Sequence, residues 1–394
     1  MLDVGKRFVC ERCGNSDERY IGRINGRPYC RKCISFSGEE ASFEPKEEKT
    51  VNLSLSYSLS RQQKELSDKV LSNFIDGIDT LVYAVCGSGK TEISFAVLGY
   101  AMSKGLRVGF ALPRRDVVIE LFLRLKEAFP SNKIVAVYGG HTSALEGDCV
   151  ILTTHQLFRY PNYFDLLVMD EVDAFPFKGS DVLLSMFKRS VKGHFVMMSA
   201  TPSKQLVSSF RAPGKEMLTL HTRFHRHPIP VPSLCLGPPL LQQAAIIRKL
   251  RQFQKAGKPA FVFVPSIAES ESLYRKTSIF CEKGNFVNSK RAGREKIIAD
   301  FKAGKLNYLI TTAVLERGIT VKGLQVLICN ADSPIYDAAS LIQISGRAGR
   351  KKDAPDGEVI FFAKSESKGM LDARLEIQRC NMFLPKLLQA DKGK

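Results

Sequence analysis

The feature that most constrains the fold of this 394-residue chain is a glycine-rich loop between two apolar segments. The loop reads AVCGSGKTE at residues 84–92; it follows the apolar run TLVYAV (80–85) and leads into TEISFAVLGYAMSKG (91–105). A buried strand that passes through such a loop into an amphipathic helix is the context that a phosphate-binding loop requires. The segment therefore predicts an α/β sheet with a triphosphate site at the loop.

The rest of the chain repeats this alternation of apolar runs and helical patterns. The predicted strands are 80–85, 107–112, 133–138, 149–154, 165–170 and 194–199, then 260–265, 307–312, 325–330 and 358–363. Strands that are apolar throughout and alternate with helices belong to parallel sheets covered on both faces. We expect two consecutive α/β domains, at 53–225 and 238–394, with the proline-rich segment 221–239 as their connection.

The charge is strongly positive and unevenly spread. The formal net charge is +18, and residues 226–394 carry 28 Lys/Arg against 15 Asp/Glu. Such a field favours a polyanionic partner, most often nucleic acid, although a merely basic surface is the alternative. No apolar run approaches the roughly 18 residues that a membrane span needs, and MLDVGKRF lacks the apolar core of a signal peptide. We therefore expect a cytoplasmic protein.

Four of the ten cysteines lie together near the N-terminus. Cys10 and Cys13, then Cys30 and Cys33, form two Cys-x2-Cys pairs sixteen residues apart. This spacing predicts a closed, tetrahedral Zn²⁺ site in a module at 1–45 that is too short to fold on its own core. Nearby arginines slightly favour contact with nucleic acid over a purely structural or partner-binding role, and a redox role of the two pairs is a weaker alternative.

The glycine-rich loop supplies one half of an ATP site. Backbone groups of Gly87, Ser88 and Gly89 would cradle phosphates, Lys90 would reach the outer phosphates, and Thr91 would bind Mg²⁺. The loop has alanine at position 84, where the general phosphate-loop pattern has glycine; the alternative is a plain glycine turn before a helix.

Two later segments supply the other half. In VMDEVDAF (168–175), Asp170 would hold Mg²⁺ and Glu171 would orient and deprotonate the attacking water. In QISGRAGR (343–350), Arg347 and Arg350 are three residues apart on a predicted helix, so they would share one face and neutralise charge that develops on the phosphate. Because these arginines belong to the second domain, we expect ATP to bind between the domains.

The order GSGKT, DEVD, SAT, TTAVLERGIT, QISGRAGR resembles the superfamily 2 helicase motor, with its tandem RecA-like domains, over about residues 53–365. The resemblance implies that Gln63 reads the adenine base, with Gln62 as the alternative, and that Gly318 lies close to the nucleotide. It also implies that four segments contact the nucleic acid strand: LPRRD (112–116), TTHQ (153–156), VFVPS (262–266) and TTAVLERGIT (311–320).

The N-terminal cysteine module together with DEVDAFPF (170–177) and SATPS (199–203) is similar to the ComFA family of late-competence ATPases. That family implies an ATPase stimulated by single-stranded DNA, which pulls transforming DNA into the cytoplasm during natural competence. It further implies two partners: a late-competence protein of phosphoribosyltransferase-like fold, and the DNA-uptake channel at the inner face of the cell membrane. A homo-oligomer is left open.

Three other functions compete with this interpretation. PriA-like replication-restart helicases share GSGKTE but carry their cysteines between the two halves of the motor, and DEAD-box RNA helicases usually read Asp-Glu-Ala-Asp. A non-catalytic, zinc-dependent DNA-binding or loading factor is the alternative of another class. The intact set Lys90, Asp170, Glu171, Arg347 and Arg350 argues against that last function.

Overall fold

The computed structural model describes residues 8–42, 46–174, 176–177, 179–312 and 321–384, and it divides the chain into two compact units. Unit 1 comprises Met1–Ala84 and Gly89–Leu220, and unit 2 comprises Val85–Ser88 and His221–Lys394. Segment 313–320, which contains Gly318, lies outside the described residues.

A small antiparallel hairpin opens unit 1. A 3₁₀ turn at Glu18–Tyr20 leads into strands β1 (Ile21–Ile24) and β2 (Arg27–Cys30). Asn25 and Gly26 connect the strands, both with positive φ (49° and 78°). Asn-Gly is the pair that two-residue hairpin turns favour, because both central residues need φ above zero. Cys30 therefore lies at the end of a hairpin, with Cys33 three residues beyond it.

The body of unit 1 is a seven-stranded, wholly parallel sheet. Its strands are β3 (Asp79–Ala84), β4 (Val108–Leu112), β5 (Ile134–Val137), β6 (Cys149–Thr153), β7 (Phe164–Met169), β8 (Val191–Ser199) and β9 (Lys215–Leu220), in the spatial order β5-β6-β4-β7-β8-β3-β9. Every residue of β4, β5 and β6 is buried. Burial of both faces explains why these strands are apolar at consecutive positions.

Helices cover this sheet. They are α1 (Arg61–Ile75), α2 (Lys90–Ile93), α3 (Phe95–Ser103), α4 (Arg115–Ala128), α5 (Asp181–Ser190) and α6 (Lys204–Ser209), with a 3₁₀ segment at Thr154–Arg159. Ser60 and Gln63 form a reciprocal capping box that starts α1. Helix α5 ends at Ser190 and β8 begins at the next residue, so no loop separates these two elements.

Unit 2 is built around a second parallel sheet of six strands. They are β10 (Ser233–Leu236), β11 (Ala260–Phe263), β12 (Gly284–Val287), β13 (Tyr308–Thr311), β14 (Gln325–Ile328) and β15 (Val359–Ala363), in the order β10-β15-β14-β11-β13-β12. Its helices are α7 (Pro239–Lys255), α8 (Ile267–Thr277), α9 (Arg294–Lys302), α10 (Ala338–Ser345) and α11 (Lys368–Asn381).

The two parallel sheets confirm the predicted α/β class. The ten strands predicted from apolar runs all form, within three residues at each end. Segment 221–239, which we expected to connect the domains, contains strand β10 of the unit 2 sheet. No helix in the described ranges combines the length with the apolar composition that crossing a bilayer demands.

Candidate active site

The glycine-rich loop joins β3 to α2, and its two glycines adopt the left-handed conformation. Gly87 has φ +82° and Gly89 has φ +79°. Only glycine adopts this conformation without steric cost, so both positions require it. Directly after Gly89, α2 begins with Lys90, whose Nζ donates to the carbonyl oxygen of Ala84 at 3.0 Å. This hydrogen bond joins the start of α2 to the end of β3, and Thr91 follows Lys90 in the first turn of α2.

Gln63 lies against this loop. Its Oε1 accepts the backbone N–H of Ser60 at 2.9 Å, which holds the side chain at the start of α1. A Cβ atom added to Gly89 would lie 2.1 Å from Gln63 Nε2. The glutamine predicted from the family resemblance to read adenine therefore adjoins the phosphate loop, and its side chain is buried.

The acidic pair follows β7 directly. The backbone N–H of Asp170 donates to the Ala111 carbonyl at 3.1 Å, and Asp170 Oδ1 accepts the backbone N–H of Glu171 at 2.7 Å. Glu171 has φ +57°, which is uncommon for a residue with a side chain and is typical of functional sites. Asp170 is only 8% exposed, and burial raises its pKa to about 6 against the opposing effect of the nearby Lys90 ammonium.

Asp173 links this acidic segment to the end of the neighbouring strand. Its Oδ1 accepts from Ser199 Oγ at 2.8 Å, and its Oδ2 accepts from Thr201 Oγ1 at 2.7 Å. The Thr201 backbone N–H also donates to Ser199 Oγ at 3.0 Å. These bonds fix the segments DEVD and SAT to each other. Sequence reasoning named both segments but gave Asp173 no role.

The strand order brings five motifs to one edge of the sheet. In parallel strands all carboxyl ends lie at the same edge, and ligands of open α/β sheets bind there. Strands β6, β4, β7, β8 and β3 are consecutive neighbours, and they lead respectively into TTHQ, LPRRD, DEVD, SAT and the phosphate loop. Leu112 pairs with Thr153, so the turns that follow β4 and β6 start side by side.

In unit 2, the predicted helix face with two arginines does not form. Helix α10 ends at Ser345, and residues 346–349 form a turn. Gly349 has φ +62°, and a Cβ there would lie 2.0 Å from the Pro355 carbonyl oxygen. Because α10 has already ended, Arg347 lies in the turn and Arg350 directly follows it, so the two arginines do not share one helix face. Arg347 is 4% exposed, whereas Arg350 is half-buried.

Arg223 holds this turn, and sequence reasoning missed it. Its guanidinium donates to the carbonyl oxygens of Ala348 (2.9 Å), Gly349 (2.8 Å) and Gly346 (3.1 Å). The carbonyls at a helix end lack intrahelical partners, and a cation there is favoured. Arg223 is 1% exposed; burial, with a smaller contribution from the Arg350 charge, lowers its pKa to about 10, so it remains charged at neutral pH.

His225 adds a fourth bond to the same turn. Its Nδ1 accepts the backbone N–H of His227 at 3.1 Å, so the proton of the neutral ring is on Nε2, which donates to the Gly349 carbonyl at 3.1 Å. Burial and the Arg223 charge lower the pKa of His225 to about 4, which keeps the ring neutral. Sequence reasoning placed this histidine only in the proline-rich connection 221–239 and gave it no role of its own.

The four cysteines of the N-terminal module converge. All four are buried, and their Sγ atoms lie within 4.8 Å of one another, with Cys10–Cys33 at 3.5 Å and Cys13–Cys30 at 3.6 Å. Four sulfurs at about 2.3 Å from a tetrahedral zinc would be separated by about 3.8 Å. The donor set and the separations therefore fit a closed thiolate site, with no position left for a substrate.

Comparison with known proteins identifies the family to which the chain is similar and supports its fold. Two family models match: DEAD/DEAH box helicase over residues 61–209 and Helicase conserved C-terminal domain over residues 242–352. The chain is 35% identical to Competence protein ComFA of Bacillus subtilis (strain 168), over 97% of this chain and 87% of that protein. It is 33% identical to Competence protein ComFA of Streptococcus pneumoniae (strain ATCC BAA-255 / R6), over 96% and 91%.

A solved structure shares the architecture. Mycobacterium smegmatis helicase Lhr, bound to ssDNA and AMP-PNP, matches with a TM-score of 0.61 over 82% of this chain and 50% of that chain. The sequence identity is 18%, so this likeness speaks for the fold alone. It confirms the prediction of tandem RecA-like domains.

Proposed function

The chain belongs to the family of the competence proteins ComFA, and from this premise we propose that it is an ATP-driven translocase of single-stranded DNA. It is an ATP-hydrolysing enzyme of the helicase type, as the sequence predicted. The observation that best supports the finer proposal is the shared sheet edge of unit 1. There the phosphate loop, the acidic pair and the turns LPRRD and TTHQ follow neighbouring parallel strands.

ATP hydrolysis in this proposal uses the residues of both halves of the predicted site. The backbone of Gly87, Ser88 and Gly89 binds phosphate oxygens, Lys90 neutralises the outer phosphates, and Gln63 contacts the base. Mg²⁺, when bound, would neutralise charge on the phosphate oxygens, and Thr91 and Asp170 are the residues that would hold it.

The remaining residues act on the reacting groups. Glu171 accepts a proton from the attacking water and orients it. Arg347 and Arg350 stabilise the charge that develops in the transition state, a contribution that can reach about 10³–10⁵ in rate. The hydrogen bonds that Asp173 accepts from the hydroxyls of Ser199 and Thr201 keep the acidic segment in register with the next strand end.

DNA contact is assigned to the turns that follow β4 and β6. Arg114, His155 and Gln156 lie on these adjacent turns, and Arg115 is the first residue of α4. All four can contact the phosphate and sugar backbone without reading sequence. Movement along the strand follows if the ATP-bound and nucleotide-free states hold DNA with different affinity. The same turns adjoin the acidic segment, because β7 neighbours β4.

The biological role that we propose is uptake of transforming DNA. The protein would draw the incoming strand into the cytoplasm, at the inner face of the membrane, together with a late-competence protein of phosphoribosyltransferase-like fold and the DNA-uptake channel. This part of the proposal depends on the family alone. Zn²⁺ held by Cys10, Cys13, Cys30 and Cys33 would have a structural role.

The test is the steady-state rate of ATP hydrolysis without polymer, with single-stranded DNA, and with RNA of the same length. We expect DNA to stimulate hydrolysis and RNA to stimulate it less. Glu171→Gln is the control that shows the measured rate to be the protein's own. Stimulation by RNA alone, or a rate that no polymer changes, would contradict the proposal.

A further inference from the structure

The N-terminal module contacts the turn that carries TTHQ. Within residues 151–160, only His155 and Gln156 are half-exposed, and the other eight are buried. The ring of Phe36 stacks on the ring of His155, with centroids 5.8 Å apart and planes inclined by 23°. Phe36 also packs against Phe158, at 6.4 Å between centroids.

Phe36 is tied closely to the metal-binding cysteines. Its backbone N–H donates to the carbonyl of Cys33 at 3.0 Å, and its own carbonyl accepts a hydrogen bond from Arg12, which stands between Cys10 and Cys13. The position of the Phe36 ring is thus set by the same backbone that brings the four sulfurs together.

A second set of contacts reaches Gln156. Arg159 Nη1 donates to the Glu39 carbonyl at 2.6 Å, and Arg159 Nε donates to Gln156 Oε1 at 2.7 Å. The Ala41 backbone N–H donates to the Arg159 carbonyl at 2.8 Å. A Cβ on Gly38 would lie 2.5 Å from Arg159 Nη2, so the module's backbone follows this guanidinium closely.

We propose that the four-cysteine module is a positioning device for the strand-contacting turn, in which Phe36 holds His155 and the Gly38–Ala41 backbone, through Arg159, holds Gln156. The inference rests on the proposed function, because it takes these two side chains to contact DNA. Its consequence is that metal binding at one end of the module sets DNA affinity at the other, without any DNA contact by the module itself.

The first test compares Phe36→Ala with Phe36→Tyr and with Ile24→Ala. Ile24 is an exposed apolar residue on the hairpin of the same module. We expect Phe36→Ala to raise the DNA concentration for half-maximal ATPase stimulation by about three- to tenfold, the range of a lost aromatic contact. The KM for ATP and the rate at saturating DNA should change less than twofold. Phe36→Tyr should restore the wild-type value, and Ile24→Ala should equal wild type.

A double-mutant cycle separates action through His155 from a general loss of stability. In a His155→Ala background, Phe36→Ala should have no further effect on the half-saturating DNA concentration. Additive effects would overturn the inference. The inference would also be overturned if the double variant Arg23→Ala plus Arg27→Ala bound DNA more weakly while Phe36→Ala bound it normally. The module would then contact DNA directly.

Hydrogen exchange supplies a readout that needs neither DNA nor activity. Phe36→Ala should speed exchange of the backbone amides of Thr154–Arg159, while the zinc content stays at about one ion per chain. Unchanged exchange would refute the positioning role even if the proposed function holds. If exchange becomes faster but the half-saturating DNA concentration is unchanged, the module positions the turn without affecting DNA affinity, and the claimed effect on DNA affinity is refuted. If DNA does not stimulate the wild type, the proposed function fails, and exchange still decides the positioning.

Discussion

Asp170, which we propose to hold Mg²⁺, also makes the stability of the fold depend on pH. It lies at the end of a buried strand, beside Lys90, Glu171 and Asp173, and burial raises its pKa to about 6 from 3.8. A carboxyl whose pKa is higher in the folded state binds more protons there than in the unfolded state. The folded state is therefore favoured below about pH 4, and this contribution is lost as the pH rises through about 6.

Asp170→Asn should therefore stabilise the nucleotide-free protein at pH 8 while abolishing ATP hydrolysis. At about 1.4 kcal/mol per pKa unit, the gain is at most about 3 kcal/mol. Thermal unfolding without nucleotide, at pH 5 and pH 8, measures it: the difference between wild type and variant should grow with pH. Glu120→Gln, at a surface position of helix α4, is the matched control. A variant that is less stable than wild type at pH 8 would contradict this account.

Arg223 is a buried positive charge, and hydrogen bonds to backbone carbonyl oxygens offset the free-energy cost of its burial. Arg223→Met keeps the length of the side chain but leaves the carbonyls of Gly346, Ala348 and Gly349 without these donors. We expect kcat to fall at least tenfold, because Arg347 lies within this turn, and stability to fall by about 2–4 kcal/mol. Arg223→Lys should recover stability more than kcat, since an ammonium lacks the planar fork of donors.

Steady-state kinetics and urea unfolding measure these effects. The matched control is Arg248→Met, which removes an exposed arginine from helix α7 of the same unit. A kcat that stays at the wild-type value in Arg223→Met would show that the turn keeps its shape without the guanidinium.

Among the elements, the phosphate loop leaves no room for a side chain at Gly89. Gly89→Ala would place a methyl group 2.1 Å from Gln63 Nε2 and would force an L-residue to φ +79°. We expect ATP hydrolysis to fall at least a hundredfold, with weakened nucleotide binding, because the left-handed backbone of the loop would be strained and the Gln63 amide would have to move away. Gly139→Ala, where an added Cβ meets open space, should hydrolyse ATP at the wild-type rate. Nucleotide titration together with the steady-state rate decides between the two outcomes.

We expect the cysteine module to need a bound metal ion for its full stability. Cys10→Ala plus Cys13→Ala removes two of four thiolates, so we expect a loss of about one zinc ion per chain and a lower melting temperature. Cys235→Ala, on strand β10, is the control that should keep its zinc. Elemental analysis of the purified proteins measures the metal. Equal zinc contents would exclude the cluster as the zinc site.

Sequence patterns found the buried elements and missed the exposed ones. The strands predicted from continuous apolar runs all form, whereas the hairpin strands β1 and β2 and, within the parallel sheets, β9, β10 and β12 were not predicted. Strands β9, β10 and β12 each lie at an edge of a parallel sheet, where one side has no neighbouring strand. Strand β9 (KEMLTL) mixes exposed and buried residues, and β10 (SLCL) has no fully buried residue, so both lack the apolar signature that the wholly buried edge strand β5 keeps.

The site was predictable where chemistry dictates residue order, and not where contacts are long-range. The loop glycines, Lys90 and the acidic pair follow from local strand–loop–helix patterns. Arg223 reaches carbonyls more than 120 residues away, and Phe36 stacks on a ring at a similar separation. A single sequence holds no local signal for such pairs. The predicted helix does not reach Arg347, because α10 ends at Ser345 and the chain turns over residues 346–349.

For the whole molecule, the excess of positive charge predicts strongly salt-dependent DNA binding. Each phosphate contact on single-stranded DNA contributes about −0.7 to the slope of log affinity against log salt. With a net charge of +18, we expect a slope steeper than about −2 for a labelled oligothymidylate, measured by anisotropy without nucleotide. Replacing Arg115 by alanine should make the slope shallower by about one contact. An affinity that salt leaves unchanged would rule out backbone contacts as the main source of binding.

The direct passage of α5 into β8 has a consequence for how such chains can vary. Contacts fix this segment on both sides of the junction. Gly14 of the module lies beside Ser185 of α5, and Ser199, at the end of β8, donates a hydrogen bond to Asp173. With no spare residue between helix and strand, the chain there cannot lengthen without shifting one end or the other. Insertions during divergence, or tags placed by an experimenter, should accumulate at the open Gly139–Gly140 turn and be absent from the Ser190–Val191 junction.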